Sequence, residues 1–178
     1  ELFYGVGDAF AKSLSRIAGQ SLLLLYPGLL ITFIQRISTL AYPTQSFLLF
    51  FLLVFGNDIF AFIFGMSFGR ANKGFVKVSP NKSIAGFVGG TATTILLSVL
   101  FCFFVPGIKE QVSLIQAIIL GLATSTAANI GDLIESAFKR SAHMKDSGNL
   151  IPGRGGLLDS IDSMLASAPI FWILLSLF

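Results

Sequence analysis

Charge is scarce in this chain. Of its 178 residues only 12% are Asp, Glu, Lys or Arg, against 54% hydrophobic, and the mean hydropathy is +0.82. Soluble domains carry about 25% charged residues, so the balance excludes a water-soluble globule and indicates an integral membrane protein. Cysteine is almost absent as well. Cys102 is the only one, which excludes an internal disulfide and a thiolate metal centre; inside its apolar run it reads as lipid-facing or packed filler. His143 is the only histidine. One imidazole excludes a histidine metal cluster, and in its loop a solvated residue is favoured over a catalytic base. Strand periodicity is missing, and the apolar runs are too long and continuous for barrel strands. There is no internal repeat, no low-complexity tract, no soluble domain and no Walker-type phosphate loop; FGMSFGR is too loose to count as a dinucleotide fingerprint. The chain starts at Glu1 with no basic n-region ahead of an apolar core, so it shows no signal peptide, and further upstream segments are expected.

What is present is helix. Spanning the hydrocarbon takes about 20 apolar residues, and four stretches approach or meet this: Phe47–Gly69, Ser83–Val105, Val112–Ala137 and Ser163–Phe178. A fifth, Ser21–Ile34, is short and contains Pro27, consistent with a tilted span or a re-entrant segment. The expected fold is an all-α polytopic membrane bundle of four to five helices, a single transmembrane domain over residues 1–178. Small residues in GFVGGTATT and GLATSTAANIG permit close helix approach.

The few bases are placed unevenly. Ten of the twelve, Lys12, Arg16, Arg70, Lys73, Lys77, Lys82, Lys139, Arg140, Lys145 and Arg154, fall on one side if all segments span; only Arg36 and Lys109 fall on the other. By the positive-inside rule, loops 70–82 and 138–156 face the cytoplasm together.

Acids within apolar runs need a reason. Asp58 lies near the middle of a span, where an ionised carboxylate costs about 3 kcal/mol or more unless it meets a cavity or partner. In ANIGDLIESAFKR the helical offsets put Asn129, Asp132, Ser136 and Lys139 on one face, with Glu135 alongside. Ordinary interfacial charge accounts for Glu135 and Arg140 but less well for Asp132. The stretch KDSGNLIPGRGGLLDSID follows, in which Gly148, Pro152, Gly153, Gly155 and Gly156 preclude regular helix. Such backbone can form an anion-binding nest. Asp159 and Asp162 then share a face of the next helix, where they could also simply cap its positive end. Carboxylates beside a glycine nest and cations suit metal-dependent phosphate chemistry. The residues alone reach no further.

SAFKRSAHMKDSGNLIPGRGGLLDSID resembles the signature of the phosphatidate cytidylyltransferase family, the CDP-diacylglycerol synthases. NDIFAFIFGMSFGR and SPNKSIAGFVGG resemble the block that precedes it, so the likeness covers residues 57–162. Four positions depart: Arg154 stands for the usual His, Ser160 for Arg, Ser83 for Thr, and Ala85 for Glu or Gln. The resemblance implies transfer of cytidylyl from CTP to phosphatidic acid, giving CDP-diacylglycerol and pyrophosphate, in a multi-pass protein of the cell membrane with its active site at the cytoplasmic face. It implies Mg²⁺, with room for a second, monovalent cation such as K⁺, and a homodimer; nucleic acid has no part in it. By position, Asp132 and Asp159 match the metal-binding acids. Lys139, Arg140, Lys145, Asp146 and Asp162 carry over as catalytic-site residues. Ser79, Pro80, Lys82, Gly153, Arg154, Gly155, Gly156 and Asp58 carry over as substrate-binding residues. Rival readings are another CTP-using lipid enzyme (a polyprenol or phytol kinase, or an ether-lipid cytidylyltransferase), a cation transporter using Asp58 and Asp132, and an inactive scaffold.

Overall fold

The computed structural model describes residues 13–144, 147–148 and 156–178. Among these residues, five helices are long and apolar enough to cross a membrane. They are α1 (Ser13–Arg36), α2 (Pro43–Phe68), α3 (Ile84–Phe104), α5 (Leu114–Ser141) and α6 (Leu158–Leu177), with a one-turn helix α4 (Ile108–Gln111) between α3 and α5. The segment around Pro27 is therefore a full helix of 24 residues with the proline inside it. Membrane helices tolerate this because neighbouring groups satisfy the freed backbone carbonyl.

Local chemistry sets the helix ends. Pro43 opens α2 at a position whose N–H has no helical partner in any case. The Ser83 side chain accepts from the Gly86 N–H at 3.0 Å to begin α3, and Ser113 and Gln116 form a reciprocal capping box on α5. The C-terminus of α5 is closed by His143 at φ +55°, with the Met144 N–H donating to the Lys139 carbonyl at 2.8 Å. This left-handed cap turns the chain back towards the bundle. His143 itself is exposed.

Helix α2 packs along α3, α3 along α5 and α5 along α6, while α1 lies against α6. Small residues make this possible. A Cβ on Gly86 would sit 2.6 Å from the Ala61 carbonyl oxygen, and one on Gly121 would sit 2.8 Å from the Ile95 Cα, so only glycine allows these backbones so close. The bundle is differentiated along its length. One end holds the apolar core, including Leu49, Phe50, Leu53, Ile108, Leu120, Phe171 and Leu175; Cys102 is buried there. The other end buries Asn57, Asn129, Glu135, Ser136, Asp162 and Ser163. The connection 69–83 and the described residues 142–144, 147–148 and 156–157 lie at this polar end. Arg36 and Lys109 belong to the apolar end, where the Arg36 guanidinium lies 5.1 Å from the Phe33 ring and 5.3 Å from Trp172, and Lys109 Nζ lies 5.2 Å from Phe103. Aromatic faces thus stabilise the two bases that topology sets apart.

Candidate active site

The polar end begins with a close approach between α5 and α6. A Cβ on Gly131 would fall 2.5 Å from Ala166 Cβ and 2.7 Å from the Asp162 carbonyl oxygen. With no side chain there, the neighbouring Asp132 and Glu135 of α5 come up to Asp162 of α6. The three carboxylates each offer an oxygen within 4.8 Å of the others, Glu135 and Asp162 buried and Asp132 half-buried. Like charges this close repel, and a nearby cation or a proton kept by one of the acids relieves the repulsion.

Two lysines stand on this group. Lys82 Nζ contacts Asp132 Oδ2 at 2.5 Å. Lys139 Nζ bridges Glu135, one turn below it on α5, and Asp159 Oδ1 at 2.6 Å on α6. Glu135 nevertheless keeps unmet capacity: it is 1% exposed, and while Oε2 is paired with Lys139, Oε1 accepts no directed hydrogen bond. A buried acceptor oxygen left in this way suits a hard divalent cation, which takes carboxylate oxygens as ligands. The donor set fits such an ion.

Asp159 is held differently. Its Oδ2 accepts from the Ser147 N–H at 2.8 Å, the Ser147 hydroxyl at 2.7 Å and the Gly156 N–H at 2.6 Å, while Lys139 holds Oδ1. It therefore ties the two described ends of the glycine-rich loop to α6. The paired acids expected on one helix face thus divide, Asp162 joining Asp132 and Asp159 organising the loop. Glu135, set down in the sequence as an interfacial charge, completes the group instead.

A second buried polar unit joins α2 to α5. The side-chain amides of Asn57 and Asn129 donate to each other at 3.3 and 3.4 Å, and Asn57 also donates to Asp58 Oδ1 at 3.4 Å. Asp58 thereby faces a cavity of about 480 Å³ that also reaches Asn129, Asp132, Lys73, Lys82 and Ser83. Phe62, Met66, Phe75 and Phe87 also line it. Sequence reasoning missed Asn57, Lys73 and Phe75; an amide in the middle of a span is the one signal that singles out Asn57.

Loop 69–83 is pinned where it meets this cavity. Ser79 to Lys82 form a turn closed by the Lys82 N–H donating to the Ser79 carbonyl at 3.1 Å, and the Gly74 N–H donates to the Lys82 carbonyl at 3.1 Å. Ser79 and Pro80 lie in the turn, and the Lys82 side chain reaches from it to Asp132. Arg140 is exposed, its guanidinium donating to the Met144 carbonyl at 3.5 Å. Lys145, Asp146, Gly153, Arg154 and Gly155 lie outside the described residues, whereas Gly156 is described and donates to Asp159.

The sequence matches the family described as cytidylyltransferase over residues 2–178. The chain belongs to the cytidylyltransferase family. It is 43% identical over 122 residues to the phosphatidate cytidylyltransferase of Haemophilus influenzae, covering 68% of this chain and 42% of that one. To the phosphatidate cytidylyltransferase of Bacillus subtilis it is 36% identical over 127 residues, 71% of this chain and 46% of the other. An uncharacterized protein of Escherichia coli, YnbB, is 39% identical over 129 residues, 71% of this chain and 42% of that protein. The chain thus spans about half the length, or less, of these curated relatives. For a cytidylyltransferase, an all-helical bundle with an acid group and lysines gathered at one end is a coherent arrangement, because phosphoryl chemistry depends on positioning and charge neutralisation.

Proposed function

We propose that this chain is a single transmembrane domain carrying the catalytic portion of a phosphatidate cytidylyltransferase, converting CTP and phosphatidic acid into CDP-diacylglycerol and pyrophosphate. The observation that carries the reading is the group Asp132, Glu135 and Asp162, flanked by Lys82 and Lys139, beside a cavity lined by both polar and aromatic side chains. The names of the relatives supply the reaction.

A phosphate oxygen of phosphatidic acid attacks the α-phosphorus of CTP. A new P–O bond forms, the bond from the α-phosphorus to the bridging oxygen breaks, and pyrophosphate leaves with that electron pair. A phosphate monoester with a second pKa of about 6 is already largely a dianion at neutral pH, so no general base is required. This agrees with a single, exposed histidine. The obstacle is repulsion between anions. Lys82, Lys139, Arg140 and Lys145 are assigned to neutralise phosphate charge, and Arg154 with Gly153 and Gly155 to the leaving pyrophosphate, while the Gly156 N–H is given to Asp159. Asp132, Glu135 and Asp162, and Asp159 by the resemblance, would hold a divalent cation, Mg²⁺ in this reading, which supplies positive charge to the phosphate oxygens when bound. A second, monovalent cation such as K⁺ belongs to the same proposal. Asp58, oriented by Asn57, faces the cavity from α2, while the lining side chains Phe62, Met66, Phe75 and Phe87 suit the lipid. Asp146 completes the polar loop.

In this reading loops 70–82 and 138–156 face the cytoplasm, where CTP is available, and the working unit is a homodimer. The test is pyrophosphate release by the purified protein given phosphatidic acid, CTP and Mg²⁺. Release that depends on all three supports the reading, and none from a folded preparation refutes it.

A further inference from the structure

Asp132 is claimed twice. Its carboxylate belongs to the acid group suited to a divalent cation, yet its Oδ2 is 2.5 Å from the Lys82 ammonium. The same carboxylate would have to serve two cations, and an ammonium at contact distance repels an incoming cation. We propose that Lys82 is a tethered counter-cation of Asp132, exchanged for the divalent ion as the site fills and thereby released towards an anionic phosphate in the cavity. The inference rests on the reading above that the acid group holds such an ion.

Three features favour exchange over a fixed ion pair. The pair is half-open, Lys82 being 25% and Asp132 39% exposed at the side chain, so a long, strongly hydrated ammonium can leave at small cost. The Lys82 backbone is fixed by its bonds to Ser79 and Gly74, so only the side chain must move. Lys82 and Asp132 both line the cavity, so the displaced ammonium remains next to the substrate. Reciprocity follows, because a phosphate that draws Lys82 away from Asp132 must tighten metal binding by the same factor as metal tightens phosphate binding. Lys82 is therefore a positioning residue for the metal as well as a phosphate contact.

The experiment uses Mn²⁺ as the probe, with the full chain in detergent and neither CTP nor lipid present, and reads free Mn²⁺ by electron paramagnetic resonance. Lys82→Gln is expected to bind Mn²⁺ about tenfold more tightly than wild type, the scale of one like charge at contact in a half-open site. Lys82→Arg, which keeps the charge, is expected to stay near wild type and serves as the folding control. In turnover assays Lys82→Gln should need less metal but show a raised KM for CTP. Unchanged or weaker Mn²⁺ affinity in Lys82→Gln, with Lys82→Arg behaving as wild type, overturns the exchange. Because that readout contains no substrate, it is separate from the fate of the cytidylyl reading: a wild type inert towards CTP, with the Mn²⁺ shift intact, overturns the activity alone.

Discussion

Gly131→Ala isolates the close approach on which the acid group depends. Its Cβ would lie 2.5 Å from Ala166 Cβ and 2.7 Å from the Asp162 carbonyl oxygen, against the roughly 3.5–4.0 Å at which non-bonded carbons rest. Neither neighbour is the end of a flexible side chain, so α5 and α6 must part by about 1 Å. Overpacking of this kind costs about 1–3 kcal/mol. Asp162 sits on the backbone that moves, while Asp132 and Glu135 sit on the other helix. A misplacement of about 1 Å can lower turnover about 100-fold. Pyrophosphate release and thermal unfolding of the detergent-solubilised variant give both numbers. Gly28→Ala in α1 is the control, because nothing lies within 4 Å of a Cβ there; it should match or exceed wild-type stability. A Gly131→Ala protein with wild-type turnover and wild-type unfolding would refute the link between that glycine and the site.

Further outcomes follow from the same geometry. Asp132→Asn should leave the protein inserted in the membrane and abolish Mg²⁺-dependent turnover, measured by pyrophosphate release in purified membranes; near-normal activity would remove Asp132 from the metal set. Asp159→Asn should also abolish turnover, and limited proteolysis should reveal faster cleavage between residues 144 and 156, because the acceptor of the Ser147 and Gly156 N–H groups is weakened. Asn57→Leu and Asn129→Leu should each destabilise α2 against α5, with a coupling energy of about 1 kcal/mol in a double-mutant cycle, the scale of two interhelical hydrogen bonds in a membrane; additive effects would show that the amides do not act as a pair. Arg154→His should retain activity, since both residues donate hydrogen bonds, and a dead enzyme would show that this departure from the family pattern has become essential.

The long helices were legible because hydropathy is a property of one segment at a time. Four spans were expected within a few residues of α2, α3, α5 and α6, and the polar stripe on α5 followed from helical offsets alone. Helix α1 was read short because Pro27 and the polar residues before it dilute the apolar run, although the helix continues through both. Partner choice was not legible. Asp159 and Asp162 are three residues apart, about 60° around a helix, and which of them meets Asp132 depends on where α5 touches α6; Gly131 sets that contact. The Asn57–Asn129 pair joins residues 72 apart, beyond the reach of any local pattern. Glu135 looked like an interfacial charge because its burial comes from neighbours on α6 rather than from its own segment.

The central claim is cytidylyl transfer at this acid group, and the fate of labelled phosphate tests it most directly. Purified protein is incubated with phosphatidic acid, Mg²⁺ and CTP labelled at either the α- or the γ-phosphate, and the lipid is extracted. The account predicts that the α-label enters the lipid, that the γ-label leaves as pyrophosphate, and that Asp132→Asn transfers neither. Lipid carrying the γ-label would instead indicate a kinase and contradict it.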